Sequence, residues 1–209
     1  MKSSTLRRTA VALAAASSLA APLLAQAQNT PWLVRVRAVN LDSANKSDTT
    51  QPLGLSVNSK VIPEVDISYF FTPNVAAELV LTYPQKHTIS SFGAEIGSLK
   101  HLPPTLTVQY HFTGVASFKP YVGAGLNYTH FSNVEFTPAV VTALDPSIKK
   151  NSYGLALQAG LDYEISKNMF LNDDLKKVQI GTDVRSAGAK VGTFKVDPLL
   201  FGVGLGWRF

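Results

Sequence analysis

Hydrophobic and polar residues alternate along much of this chain, and the alternation is clearest at its C-terminal end. Large apolar side chains occupy every second position from Leu199 to Phe209, with Leu200, three glycines and Arg208 between them. A period of two predicts a β-strand with two different faces, one of them a continuous apolar stripe. A soluble sheet buries such a stripe in its core, whereas a membrane barrel presents it to lipid. About ten residues is the length with which a tilted strand crosses a bilayer.

Eight segments of this kind predict eight strands. They are Trp32–Val39, Lys60–Phe71, Val75–Tyr83, Thr105–Phe112, Pro120–Phe131, Ser152–Ile165, Met169–Thr182 and Leu199–Phe209. The seventh is the least regular, because charged residues interrupt it and only Val178 and Ile180 keep an apolar parity. The connections after the second, fourth and sixth strands are short, and the others are longer and more polar. Short turns at one end and long outer loops at the other are typical of an outer-membrane barrel.

One parity of the predicted strands collects the charged and polar residues, while the other is almost free of charge. The candidate lumen-lining residues are Arg35, Arg37, Glu64, Asp66, Glu78, Gln109, His111, Gln158, Asp162, Glu164 and Arg208. The alternative is a soluble eight-stranded barrel of the lipocalin type, with its apolar parity inside. Opposite charges that can pair across a narrow interior, and aromatic residues at the strand ends, favour the membrane barrel. The predicted fold is therefore all-β, an eight-stranded antiparallel transmembrane barrel.

The N-terminal segment has the pattern of a secretory signal peptide. Lys2, Arg7 and Arg8 precede an apolar stretch, and Ala25-Gln26-Ala27 fits a cleavage site. We expect residues 1–27 to be removed, which leaves residues 28–209 and lowers the net charge from +5 to +2. An uncleaved anchor helix is the alternative. The chain has no cysteine and no cluster of lysine and arginine, so neither a disulfide nor a nucleic-acid partner is expected.

Several stretches resemble the OmpW family of small outer-membrane barrels. They are Trp32–Arg37, His101–Thr105, Lys119–Thr129, Asp197-Pro198 and the ending Trp207-Arg208-Phe209. The resemblance covers nearly the whole mature chain. It departs from the family in the seventh strand, where relatives are mostly apolar and this chain has Asp173, Asp174, Lys176 and Lys177.

The resemblance implies a narrow, largely apolar channel for small hydrophobic molecules, with sideways exit into the bilayer. It places the protein in the outer membrane of a Gram-negative bacterium. The expected partners are outer-membrane lipid, small hydrophobic solutes and the barrel assembly machinery, which would read Trp207 and Phe209. We expect a monomer that has no cofactor and is not an enzyme. The alternative function is a structural or receptor barrel whose outer loops bind phage, bacteriocin or host surfaces.

Two features of the predicted interior leave alternatives open. An eight-stranded barrel is only wide enough for side chains or one small ligand, so its charges form either a plug or a path. Pro103, Pro104 and Pro198 precede strands and lack a backbone donor. They either mark the rim of a lateral exit or simply begin their strands.

The histidines are the remaining candidates for catalysis or metal binding. His130 and Ser132 resemble the His-x-Ser-Asn stretch of outer-membrane lipid A deacylases, but the facing strand supplies no acid to orient the base, and Glu135 has the other parity. His87, His101 and His111 form no ligand set at a recognisable spacing, so no metal site is predicted.

Overall fold

The structure, a computed structural model, describes residues 31–113 and 116–209. The predicted signal peptide, residues 1–27, lies outside the described residues. The strands are β1 (Trp32–Asp42), β2 (Lys46–Thr49), β3 (Leu55–Val57), β4 (Lys60–Phe70), β5 (Val75–Leu81), β6 (Gln85–Ser91), β7 (Ala94–Leu102), β8 (Thr105–His111), β9 (Phe118–Phe136), β10 (Pro146–Ile148), β11 (Asn151–Ser166), β12 (Met169–Val178), β13 (Gly181–Ser186), β14 (Ala189–Lys195) and β15 (Leu199–Arg208). A helix, α1 (Pro138–Leu144), precedes β10.

Eight of these strands close into an antiparallel barrel. In spatial order they are β1, β4, β5, β8, β9, β11, β12 and β15, and the last pairs with the first. The Phe209 amide donates to the Trp32 carbonyl at 2.9 Å and extends that seam. Closure pairs the backbone groups of every strand with a neighbour, which is the condition for crossing a membrane with strands. All eight predicted strands are confirmed, and β9 differs most, ending at Phe136 instead of Phe131.

The exterior of the barrel carries the apolar parity, as predicted for a membrane protein. Leu126 and Leu157 are 66% and 62% exposed, whereas Arg35 on the other parity is fully buried. Aromatic residues such as Trp32 and Tyr153 lie at the ends of this apolar belt. A lipocalin-like barrel would have the opposite arrangement, so that alternative is wrong.

The long connections are folded rather than irregular, which the alternation did not predict. β10, β13, β14 and β2 form a separate four-stranded sheet, while β3, β6 and β7 extend the barrel wall through the pairing of β7 with β9. Several of these strands are as long as β5 and β8, but their inward residues include polar ones such as Gln85 and His87, so apolar alternation does not reveal them. We call this end of the barrel the loop end and the opposite end the turn end. Among residues 31–113 and 116–209, no helix is long and apolar enough to cross a membrane.

β12 has a register that corrects the prediction for the seventh strand. Val178 is buried inside the barrel, and Ile180 just beyond the strand is buried as well, so the apolar parity noted there faces inward. Asp174 and Lys176 share that inward parity, while Asp173 and Lys177 have the outward one. The strand is therefore a regular barrel strand whose inner face changes from polar to apolar along its length.

The barrel interior consists of three layers. Leu33, Phe70, Ala76 and Phe170 form a small apolar cluster at the turn end. A larger apolar cluster, which includes Leu41, fills the loop end. The buried charged side chains lie between the two clusters, and this middle layer and the space above it make up the candidate site.

Candidate functional site: a polar plug beneath an apolar cavity

Arg35 connects three strands across the middle of the barrel. Its Nε and Nη2 donate to the two carboxylate oxygens of Asp162 at 3.0 and 2.7 Å. Its Nη1 donates to Glu78 Oε2 at 2.7 Å. All three side chains are at least 97% buried. A bidentate arginine–carboxylate pair is among the strongest hydrogen-bonded arrangements, so β1, β5 and β11 are held together here.

Arg37 and Lys176 form a second centre directly above the first. Arg37 Nη2 lies 3.1 Å from Glu64 Oε1, and its Nη1 lies 3.3 Å from Asp174 Oδ1. The Lys176 Nζ lies 3.1 Å from the same Glu64 oxygen, and Arg37 also contacts Asp66. Because opposite charges surround each buried charge, the desolvation cost of burying it is offset.

Neutral side chains join the two centres. Gln158 Nε2 donates to Glu78 Oε1 at 2.9 Å and to Asp174 Oδ2 at 2.8 Å. Tyr121 also donates its hydroxyl to Asp174 Oδ2, at 2.8 Å. A glycine at position 160 makes room for this ring, since a Cβ there would lie 2.3 Å from it. We call this network of charged and neutral side chains the plug.

The other predicted lumen residues lie towards the turn end. His111 Nε2 lies 2.9 Å from Gln109 Oε1, and both side chains are buried. Glu164 accepts from Lys119 at 2.8 Å in a half-exposed pair, and the Arg208 guanidinium lies 4.2 Å from the centre of the Phe70 ring. Nine of the eleven candidates are thus buried in the interior, while Glu164 and Arg208 are only partly buried at its rim.

The plug also contains Ser68, Tyr121, Asn172, Asp174 and Lys176, which are not among the candidates predicted from the sequence. Asn172 accepts from Arg37 Nη1 at 3.1 Å and donates to Asp162 Oδ1 at 2.8 Å. For Asn172, Asp174 and Lys176 the available signal was parity, because each is an even number of residues from Val178, which faces inward. The charges of β12 therefore belong to the plug rather than interrupting the strand.

A narrow cavity lies above the plug; the space not occupied by atoms here, which includes open solvent, is about 370 Å³. Its walls are apolar and come from five strands and the segments next to them: Leu41, Ile62, Val80, Val178, Ile180 and Leu200. Glu64 and Lys176, which belong to the plug, form its floor. A molecule entering from the loop end would meet apolar surface and then a layer of paired charges.

Two of the three predicted rim prolines line this cavity. Pro103 lies in the two-residue break between β7 and β8, and Pro198 directly precedes β15. The wall beside Pro198 is sealed, because its carbonyl accepts from the Val178 amide at 3.2 Å. Pro104 is absent from the cavity lining, and its carbonyl accepts from the Tyr128 amide of β9 at 3.1 Å.

The wall between β4 and the segment after β5 has fewer backbone bonds. The β4–β5 ladder ends at Val65 opposite Leu81, although β4 pairs with β1 as far as Lys60. Pro63 lacks an amide proton, and its carbonyl accepts a side-chain bond from Thr82 at 2.7 Å. Backbone hydrogen bonding between the two segments resumes closer to the loop end, where the Asn58 amide donates to the Thr88 carbonyl at 3.4 Å. We call this interval, flanked by residues 60–64 and 82–87, the window.

His130 has no acidic partner within residues 31–113 and 116–209. Its Nδ1 lies 2.8 Å from the side-chain oxygen of Asn151, which also accepts from the Tyr128 hydroxyl at 3.0 Å. An amide oxygen cannot orient and charge-stabilise a histidine base as a carboxylate does. The arrangement is that of a hydrogen-bonded surface histidine.

Comparisons with known proteins agree with this architecture. Residues 29–209 match the family model described as the OmpW family. The uncharacterized outer-membrane protein y4mB of Sinorhizobium fredii is 40% identical over 94% of this chain and 90% of its own length. Outer membrane protein W of Vibrio cholerae is 37% identical over 94% of this chain and 95% of its own length.

A solved structure shows a similar barrel. The crystal structure of the outer membrane protein OprG from Pseudomonas aeruginosa superimposes with a TM-score of 0.74 and 26% sequence identity. The match covers 87% of this chain and 96% of that chain.

Proposed function

Because the chain belongs to the OmpW family of outer-membrane barrels, we propose that it is a passive conduit for small hydrophobic molecules that leave sideways into the membrane. As an outer-membrane barrel with short periplasmic turns, it presents its loop end to the outside. The observation that carries the proposal is the apolar cavity on the loop-end side of the plug, which forms its floor.

The plug argues against a straight aqueous path. An eight-stranded barrel has room only for side chains or one small ligand, and here bulky buried groups such as Arg35 and Tyr121 occupy that room. A hydrophobic solute would also have to pass desolvated charges such as Glu64 and Lys176, which offer it no favourable contact. The cavity therefore needs a lateral exit to act as a conduit.

The window supports such an exit. Ile62 and Glu64 on one side and Thr82 on the other line both the cavity and the window. Opening the window requires breaking the hydrogen bond from the Thr82 hydroxyl to the Pro63 carbonyl. It does not require breaking a continuous ladder of backbone hydrogen bonds. Each net hydrogen bond contributes only about 1 kcal/mol, so widening the window costs little. The sequence left open whether Pro103, Pro104 and Pro198 mark the rim of an exit or simply begin their strands. We propose Pro63 and Thr82 as the rim instead.

Uptake of naphthalene and of octane by cells expressing the protein tests the proposal. Thr82→Arg places a charge in the window and should lower uptake of both solutes by about tenfold, a loss equivalent to about 1.4 kcal/mol. The matched control is Gln179→Arg, an exposed position on the sealed wall beside Pro198. It should leave uptake unchanged, and both variants should reach the outer membrane in normal amounts.

The results that contradict the proposal are equally specific. If cells expressing the Thr82→Arg variant take up both solutes at the wild-type rate, the window is not the exit. If deletion of the whole protein leaves uptake unchanged, the conduit function is wrong and a receptor role for the loop end becomes the better hypothesis. Large ion conductance in planar bilayers would show that the plug does not close the lumen.

A further inference from the structure

Three buried polar atoms on β6 and β7 have no hydrogen-bond partner among the described residues. They are His87 Nε2, His101 Nε2 and Gln85 Oε1. The three side chains are between 0% and 1% exposed. An unpaired buried polar atom costs free energy, so a group of three is informative.

The backbone brings these side chains together on one inner face. Gln85 and His87 are two residues apart on β6 and therefore point to the same side. His101 on β7 lies directly opposite Gln85 in the antiparallel ladder. The centres of the two imidazole rings are 4.5 Å apart. Two positions on one strand and one on its neighbour place three side chains within reach of a single bound atom.

Existing hydrogen bonds set which atoms remain free. His87 Nδ1 lies 3.0 Å from the Asn58 carbonyl oxygen, and because that oxygen only accepts, Nδ1 is the donor. The neutral ring then carries a lone pair on Nε2. Gln85 Nε2 donates to the Tyr83 carbonyl at 3.1 Å, which leaves its amide oxygen as the free acceptor. Orientation of an imidazole by its other nitrogen through a backbone carbonyl is the usual arrangement of metal-binding histidines.

We propose that His87 Nε2, His101 Nε2 and Gln85 Oε1 bind a divalent transition-metal ion of the zinc class. Imidazole nitrogens suit zinc, copper and nickel, whereas magnesium and calcium prefer an all-oxygen shell. Three protein ligands leave further coordination positions for water. Within residues 31–113 and 116–209 there is no cluster of three or more His, Cys, Asp or Glu that could hold a metal, and the amide oxygen of Gln85 completes this set instead.

The electrostatic surroundings keep both rings available for a metal. Burial, with smaller contributions from His87 and Lys60, lowers the pKa of His101 to about 3. Burial also lowers the pKa of His87, with a further contribution from Lys60. Both rings are therefore neutral at pH 7, and metal ligands must be deprotonated. The Lys60 ammonium that favours this state also repels a metal ion, so it limits the affinity.

The site connects the two strands of the β6–β7 hairpin above the window. A bound ion would fix His87 of β6 to His101 of β7 and stiffen the hairpin. This inference does not depend on the proposed conduit, because it rests on the three ligand atoms alone.

Isothermal titration of the full barrel in detergent micelles with ZnCl₂ tests the site, with MgCl₂ as the hard-cation comparison. We expect one saturable zinc site and no magnesium binding. His101→Ala should weaken zinc binding by about tenfold or more, on the scale of other losses at metal sites. His130→Ala removes a histidine from the outer face and should leave the affinity unchanged. Lys60→Met removes the repelling charge and should tighten zinc binding.

The heat-modifiable mobility of each variant in gel electrophoresis verifies that it is folded. Absence of a saturable zinc site in the folded wild-type protein would overturn the proposal. Equal weakening by His101→Ala and His130→Ala would also overturn it, since it would indicate non-specific binding to histidines. Unchanged or weaker binding in folded Lys60→Met would show that the ion does not lie beside Lys60 and would contradict this location.

Discussion

The two halves of the barrel interior are made by the same strands and the same parity, yet they differ in chemistry. On β1, Arg35 and Arg37 face the interior in the plug, and Val39 and Leu41 continue the same inward face in the apolar half. β12 repeats this change from Asp174 and Lys176 to Val178. Alternation thus determines which residues face inward, and the depth of each residue determines whether it meets a charge or an apolar wall.

Because of this difference, the two halves tolerate different substitutions and ligands. A buried charge is stable only with its partners in place, so the plug depends on every member of its network. Apolar packing is less directional, and a cavity among aliphatic side chains accepts another apolar group of suitable size. The plug is therefore suited to rigidity, and the half above it is suited to a passing ligand.

The largest difference in stability between the two halves is expected when one residue in each is exchanged for methionine. Arg35→Met leaves Glu78 and Asp162 buried without their cation and should destabilise the barrel by about 3–5 kcal/mol. Leu41→Met conserves volume in the apolar half and should cost less than about 1.5 kcal/mol. Urea titrations of both variants refolded into lipid vesicles measure the difference. Similar losses for the two variants would mean that the plug is no more demanding than the apolar wall.

Neighbouring substitutions on β11 extend the comparison to the outside of the barrel. Leu157→Arg places a charge on the lipid face and should cost about 2–4 kcal/mol. Gln158→Arg points inward and should cost far less, since Glu78 and Asp174 accept from the native side chain at 2.9 and 2.8 Å. Refolding titrations in the same vesicles compare them. A larger loss for Gln158→Arg would show that the filled interior has no room for another cation.

The smallest expected effect is the loss of stability per pH unit in the β6–β7 hairpin. Because burial beside His87 and Lys60 lowers the pKa of His101 to about 3, the folded hairpin resists the proton that an opened hairpin accepts near pH 6.5. The hairpin should therefore lose stability as the pH falls from about 6.5 towards 3, by at most about 1.4 kcal/mol per pH unit. Hydrogen exchange of the β6 and β7 amides, corrected for the intrinsic rate, measures this loss. His101→Gln should reduce the dependence, and an unchanged slope would assign it to other groups.

The role of the C-terminal residues as an assembly signal stays a prediction. Phe209 is 61% exposed and extends the seam between β15 and β1. Its exposure leaves the ring accessible on the outside of the barrel, which is compatible with recognition during insertion.

The sequence by itself determined the barrel and the direction of its side chains. A period of two needs only local chain geometry, so the eight strands, their lipid-facing residues and the inward position of Arg35, Glu78 and Asp162 were all predictable. The resemblance of the strand-five and C-terminal stretches to a known family was also readable. Parity alone would further have placed Asp174 and Lys176 inside.

Only the tertiary structure decided which inward residues meet. The contact of Arg35 with Asp162 joins residues 127 positions apart, and the approach of His87 to His101 depends on the hairpin register. The window likewise arises where the β4–β5 ladder ends before the β1–β4 ladder does. Such contacts depend on how strands of different length are staggered around a closed barrel. Local alternation carries no information about that stagger, because every strand has the same period.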